Sequence, residues 1–160
     1  MNSSKPIVKT WNKLVRDNIP TNLASKGILS HVRIISSRSE LLTLLIEKGE
    51  EEAKELQVAI SNLRNAEETH DITEEAADLY EVRRWLKAVY KRMKDMYKTP
   101  EQNKKILDKI TEIKSAVFNT LKKYKIDIRT LIQVANEKRK EKWWFLHGVY
   151  LQQTIELPHA

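Results

Sequence analysis

Residues 47–81 read EKGEEEAKELQVAISNLRNAEETHDITEEAADLYE, and this stretch holds twelve of the 22 carboxylate side chains in the 160-residue chain. On a helix, residues three or four positions apart lie on the same face. Two sets of carboxylates meet this condition: Glu51, Glu52 and Glu55, and Glu75 with Asp78. Because like charges at this spacing repel unless they share a cation, the stretch predicts either an acidic metal site or a solvated helix face.

Apolar residues around these carboxylates recur at steps of three and four, which predicts a metal-binding helix pair over about 39–97. Ser39 is the expected cap of the first helix, and Asp71 with Glu74 forms a capping-box pattern for the second. Gly49 is a weak point, since glycine costs ~1 kcal/mol relative to alanine inside a helix. The predicted apolar faces are Leu41, Leu45, Ala53, Leu56, Ile60 and Leu63, followed by Ala76, Leu79, Val82, Leu86, Val89 and Met93.

Two further helices are predicted downstream. Thr99 and Pro100 are typical of a helix start, and Gln102 completes a capping-box pattern with Thr99. They begin a Lys-rich helix over about 100–124, and Asp127 caps a fourth helix. The predicted apolar positions of the Lys-rich helix are Ile106, Ile110, Ile113, Val117 and Leu121.

The two ends of the chain carry weaker signals. Residues 1–38 lack helical periodicity, apart from one short helix after the KLVRDNIP block and a short extended segment at 31–36. The last residues, HGVYLQQTIELPHA, predict a short extended or irregular tail. Three glycines and four prolines are too few for the many turns of a sandwich or barrel. The sequence therefore predicts an all-α helical bundle of about four long helices, forming a single domain over 1–160.

Composition limits the classes of function. The chain has no cysteine, which excludes a disulfide framework and a thiolate zinc site and fits a reducing compartment. No apolar run approaches the roughly 20 residues of a membrane span, so we expect a soluble, cytoplasmic protein with no membrane partner. The net charge is −9 over residues 47–81 and +12 over residues 82–142. Such basic flanks suit nucleic acid, but they equally suit a polyanionic small ligand that binds together with a cation.

Three readings of the acidic stretch stay open at this point. A Glu-rich helix face is often simply solvated, but Glu75 and Asp78 lie among the apolar residues of their helix, so part of the set must border the core. Mg²⁺ prefers hard oxygen ligands, and carboxylates facing each other across a helix pair provide them. A ferritin-like di-iron site needs two Glu-x-x-His motifs, of which only Glu67 to His70 fits.

Three motifs in order resemble one known family. Residues 13–20, KLVRDNIP, closely match the KLVRDxIP opening of the phosphoribosyl-ATP pyrophosphohydrolase-like branch of the all-α, MazG-like nucleotide pyrophosphohydrolases. The patterns EExxE at 51–55 and ExxD at 75–78 are similar to the metal-binding signature of that superfamily. Residues 138–151 resemble its basic C-terminal segment, which ends in an aromatic residue and a short strand.

The resemblance implies Mg²⁺-dependent cleavage of a nucleoside triphosphate or phosphoribosyl-nucleotide between its α and β phosphates, with Mn²⁺ able to replace Mg²⁺. Glu51 and Glu52 are the implied catalytic residues, Glu51 as a further ligand or as the group that orients or deprotonates the attacking water. The implied metal ligands are Glu52, Glu55, Glu75 and Asp78. The candidates for neutralising the polyphosphate are Lys13, Arg16, Lys138 and Arg139. The family's habit implies a homodimer or higher homo-oligomer.

Two departures from the family pattern leave the substrate open. Where the family continues into a Gly-Gly-Phe turn, this chain has Trp143 and Trp144 before Phe145, and paired tryptophans are more often buried in a core or interface than stacked on a base. The Lys-rich helix at about 100–124 is absent from compact family members. It is a candidate for thickening the bundle, for assembly or for substrate specificity.

Alternative functions of other classes also fit parts of the sequence. The basic region over 82–142 is compatible with a non-catalytic nucleic-acid-binding or adaptor bundle, although it contains no clear recognition-helix motif. A degenerate family member that binds nucleotides without hydrolysing them is a third possibility. The three ordered motifs favour the hydrolase, so nucleic acid is not the expected partner.

Overall fold

The computed structural model describes residues 5–63, 69–93 and 99–158. The chain is mostly helical, at 65%, and the described residues form five helices and a three-stranded sheet. A helical protein is therefore confirmed, but the sheet corrects the all-α prediction. The chain divides into two compact units, which we call the sheet unit (Met1–Leu41 with Arg139–Ala160) and the helical unit (Leu42–Lys138). The single domain stays a prediction.

The sheet unit contains an antiparallel sheet built from both ends of the chain. Its elements are strand β1 (Ile7–Val15), helix α1 (Ile19–Ser25), strand β2 (Ile28–Ile34) and strand β3 (Val149–Glu156). β3 lies between β1 and β2 and pairs antiparallel with both. Helix α1 packs against the buried residues Val15, Val149 and Leu151. The irregular N-terminal segment was thus wrongly predicted in part, since it contains two strands, whereas the short helix after the KLVRDNIP block is confirmed.

The extended segment predicted at 31–36 overlaps β2, and the predicted extended tail overlaps β3. Strand β1 and the sheet itself were not predicted, because these strands leave little local trace in the sequence. Their hydrogen-bonding partners lie at the opposite end of the chain, so no hairpin turn marks them. The pairing register also shifts between Thr10 and Lys13 and again after His31. At the first shift Asn12 has a positive φ of 47°. Such irregularities interrupt the alternation of apolar and polar residues by which a strand is recognised.

The four predicted long helices are present. They are α2 (Arg38–Ser61), α3 (His70–Met93), α4 (Pro100–Lys123) and α5 (Ile128–Lys142). Every predicted apolar position of α3 and α4 is buried. Of the first predicted face, Ala53, Ile60 and Leu63 are only half-buried. None of the described helices is long and apolar enough to cross a membrane.

The starts of α2 and α3 lie slightly earlier than predicted. The hydroxyl of Ser37 accepts a hydrogen bond from the backbone N–H of Glu40 at 3.3 Å, so Ser37 takes the capping role that was predicted for Ser39. Helix α3 begins before Asp71, which therefore lies inside the first turn rather than at the cap. The predicted end of this helix, near Tyr97, lies outside the described residues.

The starts of α4 and α5 agree with the prediction. Thr99 Oγ1 accepts a hydrogen bond from the backbone N–H of Gln102 at 3.4 Å. Asp127 Oδ1 accepts one from the backbone N–H of Arg129 at 2.9 Å. Each side chain thereby satisfies one of the unpaired N–H groups of a helix N-terminus, as the sequence indicated.

Gly49 has a packing role that its helix propensity did not reveal. A Cβ atom added at Gly49 would lie 2.8 Å from Cδ1 of Ile113, which belongs to α4. That separation is shorter than two carbon atoms tolerate. The missing side chain therefore leaves room for the end of the Ile113 side chain.

Candidate metal centre

Five carboxylates from α2 and α3 converge within the helical unit. We call them the acidic centre: Glu51, Glu52, Glu55, Glu75 and Asp78. They form two overlapping groups, one on α2 and one that joins α2 to α3, and Glu52 belongs to both. Within each group, one oxygen of every carboxylate lies within 4.8 Å of one oxygen of every other. The structure thus brings together all the carboxylates that the sequence pattern singled out.

Glu52 is the most deeply buried member, with 7% of its surface exposed. Its Oε2 atom and the Oε2 atom of Glu75 are both buried and lack a hydrogen-bond partner. A buried carboxylate oxygen without a donor or counter-ion is costly. A cation held by these carboxylates would supply the partner that the two oxygens lack. Glu47 and Glu50 are exposed, as expected of a solvated helix face, whereas Glu52 is buried.

Two carboxylates of the acidic centre have a raised pKa. The pKa of Glu52 is raised from 4.5 to about 7, mainly by burial. The charge of Lys48 opposes this rise, and the charges of Asp78 and Glu55 add to it. Burial is also the main cause that raises the pKa of Glu75, followed by the charges of Asp78 and Glu52. In the absence of a cation, Glu52 and Glu75 therefore hold their protons more tightly than exposed glutamates do.

Among the described residues, two lysines contact the acidic centre. Lys138 was predicted to bind phosphate, but its Nζ atom lies 3.0 Å from Oδ2 of Asp78. Lys48 was not predicted, and its Nζ atom lies 3.3 Å from Oε1 of Glu52 and 3.4 Å from Oε2 of Glu51. The sequence does carry a signal for this contact, because Lys48 lies three and four residues before the two glutamates and therefore on the same helix face.

A cleft of about 430 Å³ opens beside the acidic centre. Glu55 and Glu75 belong to its wall, so the cleft and the centre share two carboxylates. The rest of the wall contains one basic residue, two further carboxylates, one amide and three apolar side chains: Lys54, Asp71, Glu74, Asn62, Val58, Ala59 and Leu63. This cleft could not be predicted from the sequence, because its wall combines residues of α2 and α3 whose relative position depends on packing.

In the sheet unit, Asp17 of the KLVRDNIP block has a structural role. Its Oδ2 atom accepts a hydrogen bond from the backbone N–H of Leu146 at 3.1 Å, and its Oδ1 atom accepts one from His147 at 3.0 Å. The backbone N–H of Asp17 donates to the carbonyl oxygen of Trp144 at 2.7 Å. Burial raises the pKa of Asp17, and the two backbone hydrogen bonds oppose this effect. Asp17 therefore fixes the segment before β3.

The other predicted phosphate contacts also lie in the sheet unit. Arg16 is 6% exposed, and its guanidinium carbon lies 5.8 Å from the centre of the Phe145 ring. Lys13 Nζ lies 4.9 Å from the centre of the Trp11 ring. The carbonyl oxygen of Arg139 accepts a hydrogen bond from the backbone N–H of Trp143. A role for Lys13, Arg16 and Arg139 in binding phosphate stays a prediction.

Trp143 and Trp144 differ from the tryptophans expected in a core. They are 46% and 43% exposed, whereas the adjacent Phe145 is 2% exposed and takes the buried position. Trp143 has a φ of 66°, a left-handed conformation that glycine adopts without strain. The chain thus makes a glycine-type turn here with a tryptophan, held by Asp17.

The di-iron alternative finds no support in the histidines. Within the described residues, neither carboxylate group of the acidic centre includes a histidine. His70 is exposed, and its Nε2 atom lies 3.0 Å from Oε1 of Glu74. Glu67, the other end of the single Glu-x-x-His motif, lies outside the described residues.

Comparison with models of known protein families, with curated proteins and with solved structures finds no match. The resemblance to the MazG-like pyrophosphohydrolases therefore rests on the three sequence motifs. The site geometry described above is independent of that resemblance.

Proposed function

We propose that the protein is a Mg²⁺-dependent nucleotide pyrophosphohydrolase. It cleaves a nucleoside triphosphate or phosphoribosyl-nucleotide between the α and β phosphates and releases a monophosphate and pyrophosphate. The observation that carries the proposal is the pair of buried, unpartnered oxygens, Oε2 of Glu52 and Oε2 of Glu75, within the acidic centre. The three ordered motifs support a nucleotide as the substrate.

In this proposal the cation is held by Glu52, Glu55, Glu75 and Asp78. When bound, Mg²⁺ neutralises phosphate charge and lowers the pKa of a coordinated water, so no side-chain nucleophile is needed. Glu51 orients the attacking water or accepts its proton. Its carboxylate can reach such a water because 34% of the side chain is exposed to solvent. Lys138 orients Asp78 through their 3.0 Å ion pair.

The cleft beside Glu55 and Glu75 supports a small-molecule substrate. Its volume of about 430 Å³ lies within the range of small-ligand sites. Its apolar residues Val58 and Leu63 offer a surface for a base or ribose, and the Asn62 amide offers both a donor and an acceptor. A base or ribose in this cleft would lie next to a polyphosphate at the acidic centre, because the cleft and the centre share Glu55 and Glu75.

Pyrophosphate release tests the proposal. The purified protein is incubated with Mg²⁺ and a panel of nucleoside triphosphates, deoxynucleoside triphosphates and phosphoribosyl-ATP. We expect pyrophosphate from at least one of them. Glu52→Gln and Asp78→Asn should each lower the rate more than about 100-fold, because loss of a metal ligand exceeds the 10- to 100-fold effect of losing an outer-sphere partner.

Glu47→Gln is the matched control, because Glu47 is an exposed glutamate on the same helix and should retain full activity. No pyrophosphate from any substrate would overturn the proposal, as would full activity in the Glu52 and Asp78 variants. Salt-dependent binding to DNA or RNA without hydrolysis would instead favour the nucleic-acid-binding alternative. Assembly as a homodimer or higher oligomer and a cytoplasmic location stay predictions.

A further inference from the structure

Lys48 is an unusual residue for its position. It is 9% exposed, although lysine is rarely buried unless it is paired. Its neighbour Gly49 is the point where Ile113 of α4 approaches α2. An ammonium group at such a place must be compensated by nearby negative charge, because removing it from water is costly.

The compensation comes from the acidic centre itself. Lys48 Nζ lies 3.3 Å from Oε1 of Glu52 and contacts both oxygens of Glu51, at 3.4 and 3.5 Å. It thus holds one oxygen of Glu52, while the other, Oε2, is left buried without a partner. Glu52 is therefore fixed from one side and available from the other.

We propose that Lys48 is the resident counter-ion of the acidic centre, which positions Glu52 in the metal-free protein and lowers the affinity of the centre for a divalent cation. The inference rests on the proposed metal centre and adds a residue that regulates it. Lys48 reduces the repulsion among the carboxylates before a cation arrives. Because its own charge remains in place, it also repels the incoming cation.

The charges of the described side chains support this role. The acidic centre carries five carboxylates, and two ammonium groups, those of Lys48 and Lys138, contact it. A polyphosphate substrate would return negative charge to the centre. Because the positive charge of Lys48 stays in place, the centre would bind a divalent cation weakly by itself. It would bind the cation more tightly together with a polyphosphate, whose negative charge offsets that of Lys48.

Binding of Mn²⁺, measured by electron paramagnetic resonance of the free ion, tests the inference without any substrate. Lys48→Met keeps an unbranched side chain and removes the charge. We expect its affinity for Mn²⁺ to be about tenfold higher than that of the wild type, since a unit charge a few ångströms from a divalent cation has an effect of this order. Lys48→Arg, which keeps the charge, should stay within about twofold of the wild type.

Two further variants make the result interpretable. Lys87→Met removes the same charge from an exposed site on α3, nine residues and about 13 Å beyond Asp78. It should leave the affinity for Mn²⁺ unchanged, because this distance exceeds the screening length of about 8 Å. Lys48→Gln retains a hydrogen-bond donor for Glu52 and replaces Lys48→Met if the latter does not fold. We also expect the neutral variants at Lys48 to melt at a lower temperature without metal.

Each remaining outcome contradicts the inference. If the wild type binds Mn²⁺ and the neutral variants bind it equally or more weakly, Lys48 is not a competing counter-ion, while the proposed metal centre stands. If neither the wild type nor any variant binds Mn²⁺, both the inference and the proposed function fail. The two failures are therefore distinguishable.

Discussion

The carboxylate of Asp17 and the buried carboxylates of the acidic centre have opposite environments in this protein. In the sheet unit, each oxygen of Asp17 accepts a hydrogen bond from a backbone N–H. In the helical unit, Glu52 and Glu75 each keep a buried oxygen without a partner and have other carboxylates as neighbours. The first arrangement is complete without a ligand and serves the fold. The second is incomplete in the protein alone, which is the property expected of a ligand site.

The largest effect expected from this difference is on the pH dependence of protein stability. In the unfolded chain Glu52 loses its proton near pH 4.5, whereas the folded protein keeps it until about pH 7. The stability of the metal-free protein should therefore fall as the pH rises from 5 to 8, by roughly 2–3 kcal/mol from Glu52. The raised pKa of Glu75 acts in the same direction. Urea unfolding with a chelator present measures this change.

Glu52→Gln should lose most of this pH dependence, because the amide does not titrate. Glu47→Gln should retain it, because Glu47 is exposed. If the free energy of unfolding of the metal-free wild type is the same at pH 5 and pH 8, the carboxylates are not buried in the way that the comparison requires.

A smaller effect is predicted for Asp17. Asp17→Ala leaves the N–H groups of Leu146 and His147 without their acceptor, which should cost about 1–2 kcal/mol of stability. The increase in melting temperature caused by Mg²⁺ should be unchanged. Asp108→Ala, at an exposed position of α4, serves as the control and should have no effect. If Asp17→Ala abolished the Mg²⁺ effect, the assignment of Asp17 to the fold alone would be wrong.

The smallest prediction concerns the turn that Asp17 holds. Trp143 and Trp144 are about equally exposed, but only Trp143 has a positive φ. Trp143→Gly should therefore cost less stability than Trp144→Gly, by about 1 kcal/mol, because glycine relieves left-handed strain at the first position only. Equal losses in chemical unfolding would show that the conformation of Trp143 stores no strain.

The sequence predicted the helical part of the fold well, because helix signals are local. The cap residues Thr99 and Asp127 and the apolar spacing of α3 and α4 can be identified within a few residues of chain. The sheet could not be predicted in this way. β3 pairs with strands from the other end of the chain, and the register shifts hide the alternation.

The candidate site shows the same difference between what local spacing predicts and what depends on long-range packing. Helical spacing predicted which carboxylates share a turn, and α2 and α3 do bring them together. Spacing could not show that Glu52 is buried with an unpartnered oxygen, or that Lys138 contacts Asp78, because both depend on packing between helices. The same limit applies to Asp17, whose partners lie more than a hundred residues away along the chain.

Thermal unfolding with increasing Mg²⁺ tests the central claim, that the acidic centre binds a divalent cation. A ligand that binds only the folded state stabilises it, by about 2.7 kcal/mol at 100 times its dissociation constant. We predict that millimolar Mg²⁺ raises the melting temperature of the wild type and of Glu47→Gln but not that of Glu52→Gln. An unchanged melting temperature of the wild type, or an equal increase in Glu52→Gln, would contradict the account.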